Sequence, residues 1–188
     1  LVQPNIESMT AMLDQLGDTA AGVILEPLVQ GAGGMLMQTP QFLRDLRALC
    51  TERNLPLIAD EVMTGFGRTG GKMFGIEHFG VEPDIMTMAK GVANGMPLGV
   101  TIATPEIADA FQALQLSTFG GNPISSASAN ATLDVIEEQN LAGNAETQGA
   151  RLRTGLEELQ ARYPKMIGDV RGMGLMQAME FVVDETAG

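Results

Sequence analysis

The sequence predicts an α/β protein with a mostly parallel sheet flanked by helices, followed by the start of a smaller α+β unit. Three observations predict this fold class. Short apolar runs alternate with helical periods up to about residue 140, and the connections between them are short. After residue 140, one long helix precedes two consecutive strands. We therefore expect residues 1–140 to belong to the larger domain. Residues 141–188 are expected to form a linking helix and the start of the smaller domain.

The first elements read as a helix followed by a βαβ unit. Apolar residues recur at helical spacing from Ile6 to Leu16, and the apolar run from Ala20 to Leu25 is typical of a strand buried on both faces. Thr39 and Pro40 begin the next helix as N-cap and first helical residue. The apolar face of that helix consists of Phe42, Leu43, Leu46, Leu49 and Cys50. Leu57 to Ala59 forms the second strand, and the short connections predict that the two strands are parallel.

The later elements follow the same pattern as far as residue 140. A short helix or turn is expected from Met73 to Phe79, and a polar, glycine-rich loop from Ser117 to Pro123. The helix that begins at Ile124 is rich in small residues and can pack closely against a neighbour. The remaining predicted elements are strands at Ile85–Ala89 and Leu98–Ala103, helices at Pro105–Leu114, Ile124–Glu138 and Asn140–Tyr163, and strands at Ile167–Arg171 and Leu175–Val183.

Composition excludes several classes of function. The 23 acidic and 11 basic residues give a net charge of -12, which argues against nucleic acid or an anionic membrane as the main partner. No apolar run approaches the length of a membrane span. The single cysteine, Cys50, fits a reducing compartment, so we expect a cytoplasmic protein. The 13 methionines indicate core filling and no metal site. Because the chain does not begin with Met, we expect it to be a piece of a longer protein.

Polar residues end three of the predicted strands: Glu26, Asp60 and Lys90. Parallel strands bring their carboxyl ends to one edge of a sheet, where α/β proteins bind ligands. Topology alone leaves two interpretations open for a lysine beside a carboxylate. One is a structural ion pair. The other is a Schiff-base lysine whose pKa is lowered by its surroundings, with the aspartate against the ring nitrogen of pyridoxal phosphate.

Four motifs make the second interpretation specific. They are Glu26 to Gly34, Asp60 to Gly70 with Pro83 to Gly91 downstream, Thr118 to Pro123, and Ile167 to Met176. In this order they resemble the class III pyridoxal-phosphate-dependent aminotransferases of fold type I. Within that family, the alanine–glyoxylate and 4-aminobutyrate aminotransferase branch is the most similar.

The resemblance implies a role for each matching residue. Lys90 would form the Schiff base with pyridoxal 5'-phosphate and move a proton between the substrate and the cofactor. Asp60 would pair with the pyridine nitrogen, and Val62 would pack on one face of the ring. Thr118 would bind the cofactor phosphate across the interface of a homodimer, and Asn122 would shape the loop around it.

Two residues are implied in substrate binding. Arg171 would bind a substrate carboxylate as a bidentate fork, and Glu26 would support the edge of the site. The alternatives are a surface ion pair for Arg171 and a structural carboxylate for Glu26. The sequence departs from the family pattern at Met63, where many relatives place a glutamine against the ring hydroxyl of the cofactor. It also lacks a second glutamate after Glu26, where Gly31–Gly33 stands.

The resemblance implies transamination, in which an amino acid or ω-amino acid gives its amino group to a 2-oxo acid. An aminomutase or racemase of the same fold, and a non-catalytic relative, are the alternatives. The glycine-rich phosphate-binding turn of the family lies upstream of this chain, so we expect the chain alone to be inactive. His78, the only histidine, is expected to be structural, and Cys50 to be buried and inert.

Overall fold

The computed structural model describes residues 4–114 and 116–183. The α-helices of this part of the chain are α1 (Ile6–Leu16), α2 (Pro40–Glu52), α3 (Pro105–Ala110), α4 (Pro123–Glu138) and α5 (Leu141–Arg162). The strands are β1 (Val23–Leu25), β2 (Val29–Gln30), β3 (Leu36–Met37), β4 (Leu57–Asp60), β5 (Ile85–Met88), β6 (Val100–Ala103), β7 (Ile167–Met173) and β8 (Met176–Phe181). Short 3-10 helices lie at Gly17–Thr19, Gly75–Phe79 and Lys90–Ala93.

The main sheet has the strand order β1-β4-β5-β6. β1, β4 and β5 are parallel, whereas β6 runs antiparallel to β5. Two small antiparallel hairpins accompany it, β2–β3 after the first strand and β7–β8 at the end of the described chain. The mostly parallel sheet flanked by helices that the sequence predicts is therefore confirmed.

The core lies between α2 and the main sheet. The Thr39 hydroxyl accepts a hydrogen bond of 3.2 Å from the Phe42 amide, and Pro40 is the first helical residue, as the sequence predicts. All five residues of the predicted apolar face of α2 are buried. They pack against Leu13, Val23, Leu28, Leu57, Ile76, Phe79 and Val81.

Two expectations about single elements were wrong. β1 is not buried on both faces: Val23 is in the core, but the next side chain points to the opposite face of the sheet, and Ile24 is 62% exposed in the described part of the chain. The helix that begins at Pro105 ends at Ala110 and does not reach Leu114. None of its residues is buried, and a short helix without a packed face gains little stability.

The helix α4 lies next to the turn that follows β5. The small-residue helix α4 packs on the 3-10 turn Lys90–Ala93, and the Ser128 hydroxyl donates a 2.8 Å hydrogen bond to the Ala93 carbonyl. α5 follows α4 and packs against the hairpin β7–β8. In the described ranges, no helix is long and apolar enough to cross a membrane.

Asp84 provides a pH-dependent link between α2 and the sheet. Its Oδ2 atom accepts hydrogen bonds of 2.7 Å from the Leu57 amide and 2.6 Å from Arg47 Nη1. Burial alone raises the pKa of Asp84, but the hydrogen bonds from Leu57 and Arg47 outweigh burial, and the pKa falls below its ordinary value of 3.8. This stabilisation is present above pH 3.8 and is lost as the pH falls through the pKa of the folded state.

We expect Asp84→Asn to lower the free energy of unfolding by about 1–2 kcal/mol at neutral pH, since it removes hydrogen bonds to a charged group. The difference from wild type should shrink as the pH falls below the ordinary pKa. Urea unfolding at several pH values measures both effects. Asp14→Asn is the matched control, because Asp14 pairs with Arg53 at an exposed site and should cost less than about 1 kcal/mol. Equal losses for the two variants at every pH would contradict the prediction.

Candidate active site

The carboxyl ends of the three parallel strands bring Glu26, Asp60 and Lys90 to one edge of the sheet. Leu25 lies opposite Ala59, so Glu26 follows β1 beside Asp60, the last residue of β4. Asp60 in turn lies opposite Thr87 of β5, three residues before Lys90. The predicted convergence of these strand ends is therefore present in the fold.

Asp60 and Glu61 are neighbours in sequence but occupy different surroundings. Asp60 is half-buried, and its Oδ1 atom accepts a 3.0 Å hydrogen bond from the Val62 amide. Glu61 is fully buried and accepts hydrogen bonds from the Thr64 hydroxyl (2.5 Å), the Gly75 amide (2.9 Å) and the Ile76 amide (2.7 Å). Burial raises the pKa of Glu61, and these hydrogen bonds offset only part of that effect. Glu61 thus fixes the loop between Thr64 and Ile76, whereas Asp60 stays available at the strand end.

Lys90 begins a tight turn at the end of β5. Its φ of 49° lies in the left-handed region, and the following residues Val92 and Ala93 pack against Ala129 of α4. The side chain of Lys90 is exposed, not held in a partly buried cleft. Within residues 4–114 and 116–183, no carboxylate lies within 4.0 Å of its amine. The structural ion pair that topology left open is therefore not formed by this part of the chain.

The segment after β1 folds into a turn at the same edge. The Gly31 amide donates a 2.8 Å hydrogen bond to Glu26 Oε2, and the Gly34 and Met35 amides donate to the Gly31 carbonyl. A Cβ atom added at Gly31 would lie 2.4 Å from Met63 Sδ, so the thioether of Met63 occupies the space that a larger residue at 31 would need. Glu26 and Met63 are thus both in contact with this turn.

Arg171 reaches this turn from β7. Its Nε atom donates to the Met35 carbonyl (3.1 Å) and its Nη2 atom to the Gly34 carbonyl (2.7 Å). Its Nη1 atom lies 2.7 Å from Asp169 Oδ2 and 2.5 Å from Glu180 Oε2. Hydrogen bonds to Asp169 and Glu180 raise the pKa of Arg171. Binding of a substrate carboxylate, the role predicted for Arg171 from the sequence, would require these partners to be displaced.

The predicted phosphate-binding loop lies on the surface. Thr118 is exposed, and no hydrogen bond of its side chain occurs among the described residues. Asn122 is the N-cap of α4: its Oδ1 atom accepts a 3.0 Å hydrogen bond from the Ser125 amide, and its Nδ2 atom donates to the Phe119 carbonyl. Asn122 therefore shapes this loop as predicted, while Thr118 is not brought to Asp60 and Lys90 by this chain's own contacts.

The model of the family "Aminotransferase class-III" matches residues 2–188. The chain belongs to the class III aminotransferases. This agrees with the resemblance carried by the four sequence motifs and with the sheet edge that holds Asp60 and Lys90.

Solved structures of several transaminases share this fold. An amine transaminase from an uncultivated Pseudomonas species, in its PLP-bound (internal aldimine) form, is 41% identical with a TM-score of 0.90, over 97% of this chain and 43% of that protein. A thermostable (S)-enantioselective omega-transaminase from Thermomicrobium roseum is 37% identical with a TM-score of 0.88, over 96% and 41%. Plasmodium falciparum ornithine delta-aminotransferase is 32% identical with a TM-score of 0.87, over 95% and 46%. The chain therefore spans less than half the length of these proteins.

Sequence reasoning missed one close backbone contact next to the class III motif that begins at Asp60. Gly174, in the turn between β7 and β8, has a φ of 56°, and a Cβ atom there would lie 2.3 Å from the Thr69 carbonyl carbon. On its other side, a Cβ atom at Gly149 of α5 would lie 2.1 Å from the Gly174 oxygen. The Leu175 amide also donates to the Arg68 carbonyl at 3.1 Å. The glycines in these segments are visible in the sequence, but nothing there pairs them.

His78 and Cys50 contact only other groups of the protein in the described part of the chain, as expected of structural residues. His78 Nε2 lies 3.0 Å from the Thr69 hydroxyl, and burial, then Lys72, lowers the pKa of His78. Cys50 is buried on α2, and burial raises the pKa of its thiol, so the reactive thiolate is disfavoured. In the described ranges, no cluster of three or more potential metal ligands occurs.

Proposed function

We propose that the protein of which this chain is part catalyses pyridoxal-phosphate-dependent transamination. An amino acid or ω-amino acid would give its amino group to the cofactor, and a 2-oxo acid would then take it. The observation that carries the proposal is the position of Asp60 and Lys90 at the carboxyl ends of adjacent parallel strands, in a chain of the class III family.

The residues present fit the cofactor. Of the two carboxylate oxygens of Asp60, only Oδ1 accepts a hydrogen bond from a described residue, the Val62 amide. Oδ2 can therefore face a protonated ring nitrogen. The amine of Lys90 is exposed and free of carboxylates in the described chain, so an aldehyde can reach it. Val62 would pack against the ring, and Met63 would lie beside it in contact with the turn at Gly31.

When bound, pyridoxal phosphate supplies an electron-withdrawing ring that stabilises negative charge at the substrate carbon. Asp60 keeps the ring nitrogen protonated, because a carboxylate beside it favours the charged form. Lys90 holds the cofactor through Nζ. With substrate bound, Lys90 would move a proton between the substrate α-carbon and the cofactor C4′. Glu26 supports the substrate side of the site from the end of β1, where the Gly31 amide fixes its carboxylate.

A homodimer is part of the proposal. Three large apolar side chains near Thr118 are almost fully exposed: Leu114 at 97%, Leu116 at 94% and Phe119 at 81%. Large apolar side chains exposed close together in one short segment favour a protein interface. A second copy that covers it would receive Thr118 at the phosphate end of its own site. Sedimentation velocity tests this point, and a protein that stays monomeric with cofactor bound would contradict it.

The other parts of the proposal concern organisation. We infer that residues 141–188 begin a smaller domain, since the hairpin β7–β8 that follows α5 is a sheet separate from the main one. We also propose a cytoplasmic location. It is supported by the single cysteine of the chain, Cys50, which is a free buried thiol. Fractionation of cells that produce the tagged protein tests the location.

The experiment that tests the function combines a spectrum with an assay. Protein that contains this chain is titrated with pyridoxal phosphate and should gain an absorbance band distinct from that of the free cofactor. Amino donors are then assayed with pyruvate, glyoxylate and 2-oxoglutarate as acceptors. A protein whose spectrum with added cofactor shows only the band of free pyridoxal phosphate refutes the proposal. Racemised or rearranged amino acid without a transfer product would support the aminomutase or racemase alternative instead.

Asp60→Asn is expected to slow transamination by about 10²-fold or more, the size of effect seen when one preorganised electrostatic partner is removed. The neutral amide cannot hold the proton on the ring nitrogen, but it keeps the size of the side chain. Steady-state rates at saturating cofactor measure the loss. Asp109→Asn, on the exposed helix α3, is the matched control and should keep the wild-type rate. Similar rates for Asp60→Asn and wild type would remove Asp60 from the mechanism.

A further inference from the structure

We propose that Arg171 is a positioning residue that ties the hairpin β7–β8 to the turn Gly31–Met35 and thereby holds Glu26 at the end of β1. The consequence for substrates rests on the proposed transamination, but the consequence for the turn does not. The proposal assigns Arg171 a task other than binding the substrate carboxylate.

Protein groups already occupy the guanidinium of Arg171. A guanidinium has five N–H groups. Four of them face acceptors of the protein: the Gly34 and Met35 carbonyls, Asp169 and Glu180. The Arg171 side chain is only 20% exposed. A bidentate grip on a substrate carboxylate needs two parallel N–H groups, and these partners leave no such pair free.

The hairpin β7–β8 needs a cation at the position of Arg171. Asp169 of β7 lies directly opposite Glu180 of β8 in the strand register. Like charges in directly opposed positions destabilise a pair of antiparallel strands. Arg171 lies two residues from Asp169 on the same strand, and its Nη1 atom contacts both carboxylates. The pair of acids orients the guanidinium, and the remaining N–H groups are thereby directed to the turn.

Hydrogen bonds connect the turn Gly31–Met35 to Glu26. Arg171 holds the carbonyls of Gly34 and Met35, whose amides in turn donate to the Gly31 carbonyl. The Gly31 amide donates to Glu26 Oε2 at 2.8 Å. Arg171 is therefore connected to Glu26 through one short run of backbone. Loss of Arg171 should free the turn first and the position of Glu26 with it.

Hydrogen exchange tests the turn directly, in the full-length protein and without reference to turnover. In Arg171→Ala, the Gly34 and Met35 amides should exchange about tenfold faster or more, as expected for the loss of hydrogen bonds to a charged group. The amides of β4 should keep their wild-type rates, because the effect is local. Arg153→Ala is the matched control, since Arg153 pairs with Glu157 on the exposed face of α5. Unchanged exchange at Gly34 and Met35 in Arg171→Ala would overturn the proposal.

Substrate kinetics separate positioning from carboxylate binding. If Arg171 positions the turn, Arg171→Ala should lower kcat/KM in parallel for alanine and for a primary amine without a carboxylate. If it binds the carboxylate, KM should rise for alanine alone, and that result would overturn the proposal. Arg171→Lys should restore neither slow exchange at Gly34 and Met35 nor the wild-type kcat/KM, because an ammonium cannot reach four acceptors in a planar arrangement. Full recovery in the lysine variant would likewise count against the proposal.

The double variant Asp169→Asn with Glu180→Gln gives an independent check. Positioning predicts faster exchange at Gly34 and Met35, because the guanidinium loses the groups that orient it. If Arg171 instead binds the substrate carboxylate once it is released from Asp169 and Glu180, KM for carboxylate substrates should fall and the exchange rates should not change. That result would overturn the inference. If the protein did not bind pyridoxal phosphate at all, the proposed function would fail, while the exchange experiment would still decide the role of Arg171 in the turn.

Discussion

Lys90→Ala is expected to abolish transamination, with a loss of at least about 10²–10⁴-fold, the contribution of one positioned acid–base group. The loss should be larger than that of Asp60→Asn, because alanine removes both the group that holds the cofactor and the group that moves the proton. The absorbance band of the bound cofactor should disappear as well. Stopped-assay rates and a spectrum of the dialysed protein measure the two effects.

Lys165→Ala is the control for this experiment. The chain has two other lysines, Lys72 and Lys165, and Lys165 is exposed beyond the end of α5. Treatment of the loaded wild-type protein with borohydride, followed by peptide mapping, should find the cofactor mass on Lys90 alone. Cofactor mass on Lys72 or Lys165, or a Lys90→Ala variant that turns over at the wild-type rate, would contradict the assignment.

Glu61→Ala is expected to lower the free energy of unfolding by about 3 kcal/mol or more, since each buried donor left unpaired costs about 1–3 kcal/mol. The donors are the Thr64 hydroxyl and the Gly75 and Ile76 amides. Urea unfolding followed by circular dichroism measures the loss. Glu77→Ala is the matched control: Glu77 accepts from the Phe74 amide at an exposed site and should cost only about 1 kcal/mol. Equal losses for the two variants would show that burial of the Glu61 carboxylate is not what matters.

The pH dependence of Glu61 has the opposite sign to that of Asp84. Burial raises the pKa of Glu61 above its ordinary value of 4.5, so between the two values the folded protein holds a proton that the unfolded chain releases. The stabilisation is therefore complete below pH 4.5 and is lost as the pH rises through the folded pKa. The stability of wild type relative to Glu61→Gln should fall as the pH is raised toward neutrality. A difference independent of pH would contradict this.

Features that depend on local spacing could be predicted from the sequence. The helix α2 begins where Thr39 and Pro40 combine an N-cap with a residue suited to the first turn. The polar residues Glu26, Asp60 and Lys90, at or just after the ends of β1, β4 and β5, could be placed at one edge because short βαβ connections favour parallel strands. Asp60 and Lys90 could therefore be identified from the sequence, and the motifs around them indicate the family.

Other features depended on contacts that leave no pattern in the sequence. The acceptors of Arg171 at Met35 and Gly34 lie 136 and 137 residues away, and they are backbone carbonyls, which every residue has. The end of α3 at Ala110 was missed because periodicity cannot tell whether a helix finds a surface to pack against.

The sequence by itself determined the fold class, the family and the strand-end pair Asp60 and Lys90, because periodicity, caps and motifs are properties of neighbouring residues. Only the tertiary structure decided that Glu61 is buried under three donors, that Gly174 lies on the Thr69 backbone and that Arg171 is occupied within the protein. The physical reason is the same in each case. Burial, close approach and hydrogen-bond saturation depend on what other segments bring to a residue.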